Sequence, residues 1–382
     1  MQSCDALIVG GGPAGSTCAR ILHRAGFEVI VMDKKDFPRG KVCAGWITPE
    51  VVDTLQLNIQ EYALGRTVQP ITGFRLGMID GKQIEILYDQ VVSYGILRRE
   101  FDEYLLRRSG AQLRLGVPFQ GIARDGHGWR VNDSIHARLV IGAGGHFCPV
   151  ARLMGAKAGK REVVVAAQEI EFELSPEQIP HCKVSPEIVE LYFCHDLRGY
   201  GWCFRKGNVL NIGLGREDSD AVSSQTRQFL RFLKLRNHVP EETPEKFAGH
   251  AYILYGHSRR ELLRDGLMLI GDAAGLAYPQ SGEGIRPAVE SGLLAAETIL
   301  SAKGDFRRQN LAPYAKRLVR RFGKPRAIAR PEGLIASLER MLVDTRWFSR
   351  HVILDRWFLH RQLPALLGKE NGKEGIVHAV DA

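Results

Sequence analysis

An apolar run from Cys4 to Val9 gives way to Gly10-Gly11-Gly12 and then to Pro13-Ala14-Gly15. The run reads as a buried parallel strand, the glycines as a tight turn, and Ala14 to Ala25 as a helix. Phe27 to Met32 reads as a second buried strand, closing a βαβ unit. Gly10, Gly12 and Gly15 stand at G-x-G-x-x-G spacing. The first glycine allows the turn, the second lets backbone approach a pyrophosphate, and the third lets the helix pack on the strand. The helix N-terminus adds free N–H donors and a positive dipole end. Asp33, at the end of the second strand, is placed to accept hydrogen bonds from a ribose. The unit therefore predicts a bound dinucleotide, and by itself leaves FAD and NAD both open.

At 382 residues, with 45% hydrophobic and 25% charged, the chain can build two globular domains and an appendage. It has no apolar run long enough to span a membrane. Its N-terminal strand, without a basic preamble, argues against a cleaved signal peptide. Seven scattered cysteines with no C-x-x-C pair suit reduced thiols in a cytoplasm better than disulfides or a zinc site. The net charge of +9 is uneven, because Lys303 to Arg361 alone holds 15 Lys or Arg against 5 Asp or Glu. That excess is either a solvated helical face or an attraction to anionic lipid, a carrier or another protein. No recognised nucleic-acid module accompanies it.

Asp36 to Trp46 is a glycine-punctuated loop beside the predicted dinucleotide site, carrying Arg39, Lys41 and the thiol of Cys43. Ile71 to Tyr88 reads as a hairpin turning at Asp80-Gly81, and Arg98 opens a helix running through Arg108. Ala137 to Gly145 is an apolar strand ending in glycines, as a strand meeting a ligand crevice would. From Glu162 to about Tyr255 the texture is that of an antiparallel meander with a helical insert at Ser223 to Leu235. The α/β texture returns at Gly266 to Gly275, where an apolar strand ends in Gly271-Asp272. Tyr278 to Ile285 then opens a helix reaching Leu300, and a glycine-rich helix start can stabilise an anionic group. From Asn310 to about Leu367 the chain reads as amphipathic helix broken at Pro325, Pro331 and Pro364, rich in large apolar groups amid arginines. It either packs on the second domain or meets a lipid surface. The tail after Gly368 is expected to fray.

The N-terminal βαβ, the Arg98 helix and the Gly271-Asp272 segment together resemble the FAD-binding domain of the group A flavoprotein monooxygenase superfamily. Within it the chain looks most like the geranylgeranyl reductase family, over about residues 1 to 360. The resemblance implies an α/β fold. A Rossmann-like, glutathione-reductase-type FAD domain would come from residues 1–70, 93–161 and 256–303. A mostly antiparallel substrate domain would come from 71–92 and 162–255, and a basic helical region from 304–382.

It implies that Gly10, Gly12, Pro13, Ala14 and Gly15 hold the pyrophosphate and Asp33, with Lys34 beside it, the adenosine ribose. Arg39-x-Lys41-x-Cys43-Ala44-Gly45 resembles the family's R-x-K-x-C-G-G loop along the cofactor, with Cys43 on the substrate side. Arg98 and Asp272 resemble residues that contact FAD, the latter at the ribityl chain and phosphate. Gly282-Glu283-Gly284-Ile285 resembles the turn under the pyrimidine end of the flavin. Tyr200-x-Trp202-x-Phe204 resembles most of a Y-x-W-x-F-P motif lining the substrate cavity. The family's middle A-D-G is here Ala143-Gly144-Gly145, and Arg205 follows Phe204 where proline is usual.

The resemblance implies reduction of carbon-carbon double bonds in an isoprenoid or lipid-like substrate, with Cys43, Tyr200 and Trp202 as catalytic candidates and NADPH or an electron-donor protein as reductant. The alternatives are a monooxygenase of an aromatic or polyketide-like substrate, a halogenase using Lys41, and a non-catalytic prenyl-binding protein. Cytoplasmic residence, with peripheral membrane contact through the basic helices, follows from the same reading.

Overall fold

The computed structural model describes residues 1–157, 162, 164–218, 221–257, 260–326 and 340–368. The first 14 or so residues set the frame. The strand Gln2–Val9 is inserted between Ile135–Gly142 and Val29–Met32, parallel to both. Leu267–Leu269 and Gln112–Arg114 extend that parallel sheet on its two sides, and Leu263–Arg264 closes one edge antiparallel. Ala6, Leu7, Ile8, Leu139, Val140 and Ile141 are all fully buried, as strands covered on both faces must be.

Two helices pack face to face against this sheet, Pro13–Arg24 and Ile285–Ser301. Their contact surface is made of small groups, and the tolerance is tight. A Cβ on Gly292 would lie 2.4 Å from the carbonyl oxygen of Ala14, and one on Gly271 2.9 Å from the Ala14 side chain. Small residues thus allow the Ile285–Ser301 helix to touch the helix that follows the glycine turn.

The second layer is a seven-stranded sheet in the order Ala248–Ile253, Val164–Glu173, Val209–Arg216, Gly199–Lys206, Ile188–Phe193, Gly73–Met78 and Ile84–Leu87. Every neighbouring pair is antiparallel except Gly73–Met78 with Ile188–Phe193. The helix Val222–Leu235 packs Phe229, Leu230 and Leu233 on one face of it. The other face carries Phe74, Leu76, Trp202 and Phe204. This is the α/β frame with a largely antiparallel second sheet that the sequence implies.

Several pieces differ from the sequence reading. The second strand begins at Val29, because Gly26 and Phe27 are spent on ending the helix, where their N–H groups bond to His23 and Leu22. A three-stranded sheet of Trp46–Ile47, Ser93–Ile96 and Val68–Ile71 was not foreseen, nor was the strand Ala248–Ile253. Their strands are short or carry polar residues, so no period-2 pattern announces them. The amphipathic helix expected from Asn310 to about Leu367, broken at Pro325, Pro331 and Pro364, stops short of that limit. One helix ends at Phe322, where Gly323 takes φ +81, and farther on a short helix, Arg346–Phe348, runs into a π-helical segment, Ser349–Phe358. Beyond Leu359 the chain is not helical, as Pro364 demands. Pro331 and the tail after Gly368 lie outside the described residues.

The C-terminal segment is strapped across the molecule. Arg346 and Arg350 donate to the backbone carbonyls of Glu85 and Leu87 on the edge strand of the second sheet. Tyr88 donates to Asp355, and Arg286 donates to the carbonyls of Leu363 and Pro364. The strap buries its own Val343, Ile353, Leu354, Phe358 and Leu359 against Trp46, Phe74 and Phe204.

Gly292→Ala should cost about 1–3 kcal/mol of stability, because the new methyl meets a main-chain oxygen that cannot retreat. Gly121→Ala, with nothing within 4 Å of the added Cβ, should stay within about 0.5 kcal/mol of wild type. Denaturant midpoints of the two variants check this, and equal midpoints would refute the packing argument.

Candidate active site

The first glycine turn is shaped by backbone contact. Gly10 has φ +120, and a Cβ there would sit 2.4 Å from the carbonyl carbon of Ala143. A Cβ on Gly15 would sit 2.0 Å from the Gly10 oxygen. At Gly12, by contrast, the only atom an added Cβ would approach is Nη2 of Arg39, at 3.6 Å. Gly12 caps the helix without any side-chain acceptor, and Pro13 opens it. The first-turn N–H groups thus face an open cradle next to a guanidinium, which suits a pyrophosphate. Asp33 accepts the Gly11 N–H at 2.9 Å through Oδ2 and the Lys35 N–H through Oδ1, so it fixes the turn from the strand end. Lys34 is exposed, and no hydrogen bond or ion pair of its own joins it to the other predicted residues among those described.

Arg39 and Arg98 meet on a residue that the sequence reading passed over, Asp102. This fully buried carboxylate takes Arg98 Nε and Nη2, each at 2.9 Å, and Arg39 Nη2 at 3.2 Å. Arg98 and Asp102 are one helical turn apart, so the i, i+4 spacing was the available signal. Arg39 also lies over the Phe37 ring at 4.7 Å.

A second charged cluster forms where Gly271-Asp272 meets the Arg39–Gly45 loop. Lys41 Nζ lies 3.3 Å from Asp272 Oδ2 and 3.2 Å from His250 Nε2. Although burial opposes it, Lys41 and His250 hold the Asp272 carboxyl well below the usual range. Burial, with Lys41 beside it, pushes His250 down to about 4, so its ring is neutral at physiological pH. A Cβ on Gly284 would lie 3.3 Å from Asp272 Oδ1, so this carboxylate stands at the start of the Ile285 helix, itself uncapped by any side chain. The Gly282 turn is shaped from the second sheet, where Tyr252 reaches in. A Cβ on Gly282 would fall 2.3 Å from its hydroxyl oxygen. His250-x-Tyr252, alternating on a strand absent from the sequence reading, supplies both groups. Burial first, with Arg286 opposing it, pushes Glu283 in this turn up to about 7.

Cys43 is half-buried, whereas the other six cysteines are buried. It packs against Ile47, Val51 and Phe101, while its neighbours Val42 and Ala44 pack on the aromatic cluster that holds Tyr200 and Tyr252. Both phenols are raised above their ordinary pKa, by burial first, and stay protonated. Tyr200 donates to the Ser281 carbonyl at 2.5 Å, which ties the second sheet to the Gly282 turn. Trp202 turns its N–H away, to Asn211 Oδ1 at 2.6 Å, and its ring lies across Gly213, where a Cβ would be 2.2 Å from it. Phe204, Trp46, Phe358 and Tyr200 continue the aromatic surface, with centroids 5.3–6.2 Å apart, edge to face except for the tilted Trp46–Phe358 pair. Gly45, at φ +75, passes close over Lys206 and Ala44 packs beside it. Ile285 belongs to a separate apolar cluster with Val51 and Phe101.

Where the family's middle acid would stand, Ala143-Gly144-Gly145 leads into buried His146. Arg260 donates to Glu162 at 2.7 Å and to the Ala273 carbonyl at 2.9 Å, behind the Asp272 turn. The open glycine cradle, the two uncapped helix starts and the cations around Asp272 together fit an FAD molecule.

Asp272→Ala should weaken FAD retention by about 10- to 100-fold, the worth of roughly 1.5–3 kcal/mol from hydrogen bonds to a charged group. Flavin absorbance per protein after dialysis reads this, and undiminished occupancy would remove Asp272 from the binding set.

Comparison with known proteins agrees with this geometry. The family described as FAD binding domain matches residues 3–318. Digeranylgeranylglycerophospholipid reductase of Methanocaldococcus jannaschii is 26% identical over 332 residues, covering 82% of this chain and 81% of that one. Menaquinone reductase of Mycolicibacterium smegmatis is 30% identical over 318 residues, covering 78% and 76%. The crystal structure of a geranylgeranyl bacteriochlorophyll reductase-like protein from Thermoplasma acidophilum superposes with a TM-score of 0.72 at 21% identity, over 96% of this chain and 94% of that one. The chain belongs to the FAD-binding domain family, as an FAD-dependent oxidoreductase of its geranylgeranyl reductase group.

Proposed function

We propose that the protein reduces carbon-carbon double bonds of an isoprenoid or lipid-like substrate. The observation that carries the reading is that Val42 and Ala44, on either side of Cys43, pack on an apolar wall of Trp46, Phe204 and Phe358. An unactivated alkene offers no oxyanion to stabilise, so the site's main work is to position an apolar chain and to supply a proton. Reduced FAD, when bound, supplies the hydride that adds to one alkene carbon. The other carbon takes a proton from the protein.

Tyr200 has its hydroxyl hydrogen committed to Ser281, which leaves the Cys43 thiol as the donor at that face. Trp202, held by Asn211, serves the cavity wall rather than proton transfer. Gly10, Gly12, Gly15, Arg39, Lys41, Arg98, Asp272 and Gly282 to Ile285 would hold the FAD. In this reading residues 1–70, 93–161 and 256–303 carry the cofactor, and 71–92 with 162–255 face the substrate.

The likeness to relatives named for lipid and quinone substrates supports an apolar ligand drawn from a membrane. No helix among the described residues is long and apolar enough to cross a membrane. The strap, however, exposes Met341 and Trp347 beside Arg346, and Leu87 of the edge strand is exposed where Arg350 is tethered. In our reading this face rests on anionic lipid directly over the aromatic wall.

Under anaerobic conditions, with the flavin chemically reduced, the protein should turn over and yield a product two mass units heavier per double bond. Product that forms only in air and carries an oxygen atom would replace this reading with a monooxygenase. Cys43→Ala should lower turnover by about 100-fold, within the usual worth of a positioned proton donor, while FAD content stays unchanged. If the variant keeps full turnover, the thiol is not the donor.

Sedimentation with phosphatidylglycerol vesicles should recover the protein, and added salt should release it. Equal recovery with neutral vesicles would mean that the basic strap serves intramolecular packing alone.

A further inference from the structure

Behind the Cys43 loop lies a set of buried polar groups that the proposed reaction does not use. Glu169 and Glu171 stand on the strand Val164–Glu173, Lys206 on Gly199–Lys206 and Asn211 on Val209–Arg216. Lys206 and Asn211 are fully buried and Glu169 nearly so. The hydrogen bonds fix every orientation. Trp202 donates to Asn211 Oδ1, which leaves the Asn211 amide to donate to Glu171 Oε2 at 2.9 Å and to Glu169 Oε2 at 3.4 Å. Lys206 Nζ is spent on Glu171 Oε2, at 2.7 Å. Glu169 is therefore held by neutral donors, the nearest being the backbone N–H of Cys43, 2.8 Å from Oε1.

A buried acid is an expensive way to close a sheet, since an apolar side chain packs there at no desolvation cost. Here its oxygen is aimed at the one loop that carries the half-buried thiol. We infer that Glu169 is a positioning residue for Cys43. Its carboxylate holds the Arg39–Gly45 loop by the Cys43 N–H, and Asn211 links that anchor to the Trp202 wall. The inference deepens the proposed function and rests on its assignment of Cys43 to the substrate face.

The groups around the acid are Glu171 on its own strand, Lys206 and Asn211 from the neighbouring strands, and His250, whose partner across the ladder, Ala167, lies on the same face as Glu169. Burial pushes the Glu169 carboxyl up to about 7, with the Cys43 N–H and Lys206 opposing and Glu171 adding to the rise. A folded pKa above the ordinary value means that the charged anchor is present above that pH and is lost as pH falls through it.

The test is hydrogen–deuterium exchange of the Cys43 amide in the full FAD-loaded chain, from about pH 5.5 to about pH 8.5 and corrected for intrinsic exchange. In the wild type, protection should fall about fivefold as pH drops through the Glu169 transition, because a hydrogen bond to a carboxylate is roughly twice as strong as one to a neutral acceptor. Glu169→Gln keeps an acceptor oxygen without titrating, so its protection should be flat with pH. Glu169→Ala should remove the protection at every pH.

A flat wild-type curve, or an alanine curve that superposes on the wild type, overturns the inference. The same variants should keep wild-type FAD content while turnover per FAD in the glutamine variant loses its inflection near the Glu169 transition. Exchange needs no substrate, so the anchor can hold even if no alkene is reduced, and in that event only the reductase reading falls.

Discussion

Backbone meeting backbone at the first glycine turn is the constraint on which the rest of the molecule depends. Gly10 lies against Ala143, Gly15 against Gly10, and Gly292 against Ala14, each at a distance that excludes a Cβ. Three distant pieces of chain are thereby drawn within van der Waals contact of one helix start. The crevice they enclose is lined by main chain, and its N–H groups need a ligand to complete them. The close packing that builds the fold is also what creates the cofactor cradle.

Charge is then distributed around that cradle in pairs that prevent it from collapsing on itself. Asp102 takes up two guanidinium groups, and Lys41 and His250 share Asp272. Each buried carboxylate is met by more than one partner, as buried charge requires. The arginines and Lys41 are held in fixed directions while keeping hydrogen-bonding capacity for an anionic ligand. The same logic operates on the far side of the Cys43 loop, where a single lysine serves Glu171 and leaves Glu169 to neutral donors.

The second sheet contributes a surface of a different kind. Its inner face is aromatic, and the C-terminal strap covers it with Phe358, Leu354 and Ile353. The strap is fastened at both ends by arginines donating to main-chain carbonyls, at the sheet edge and beside the Ile285 helix. One segment therefore shields the edge strand, roofs the apolar wall and touches the helix whose start carries the Gly282 turn.

The sequence by itself determined the nucleotide-binding unit, the meander, the return of α/β texture at Asp272 and the basic, aromatic character of the C-terminus. Those features are local, written in glycine spacing, alternation and composition over short windows. It passed over Glu169, His250 and Tyr252, because a polar residue on a strand has no signal of its own until another strand faces it, and over Asp102, whose helical spacing from Arg98 was the one signal available. It also carried helix on toward Leu367, whereas the backbone leaves the helix after Phe358, before Pro364. Only the tertiary structure decided which charges share a partner, that Tyr252 reaches Gly282, and that the Cys43 N–H ends on a buried carboxylate. Those contacts join residues up to more than two hundred positions apart, and distance along the chain carries no record of which pairs the packing of two sheets will bring together.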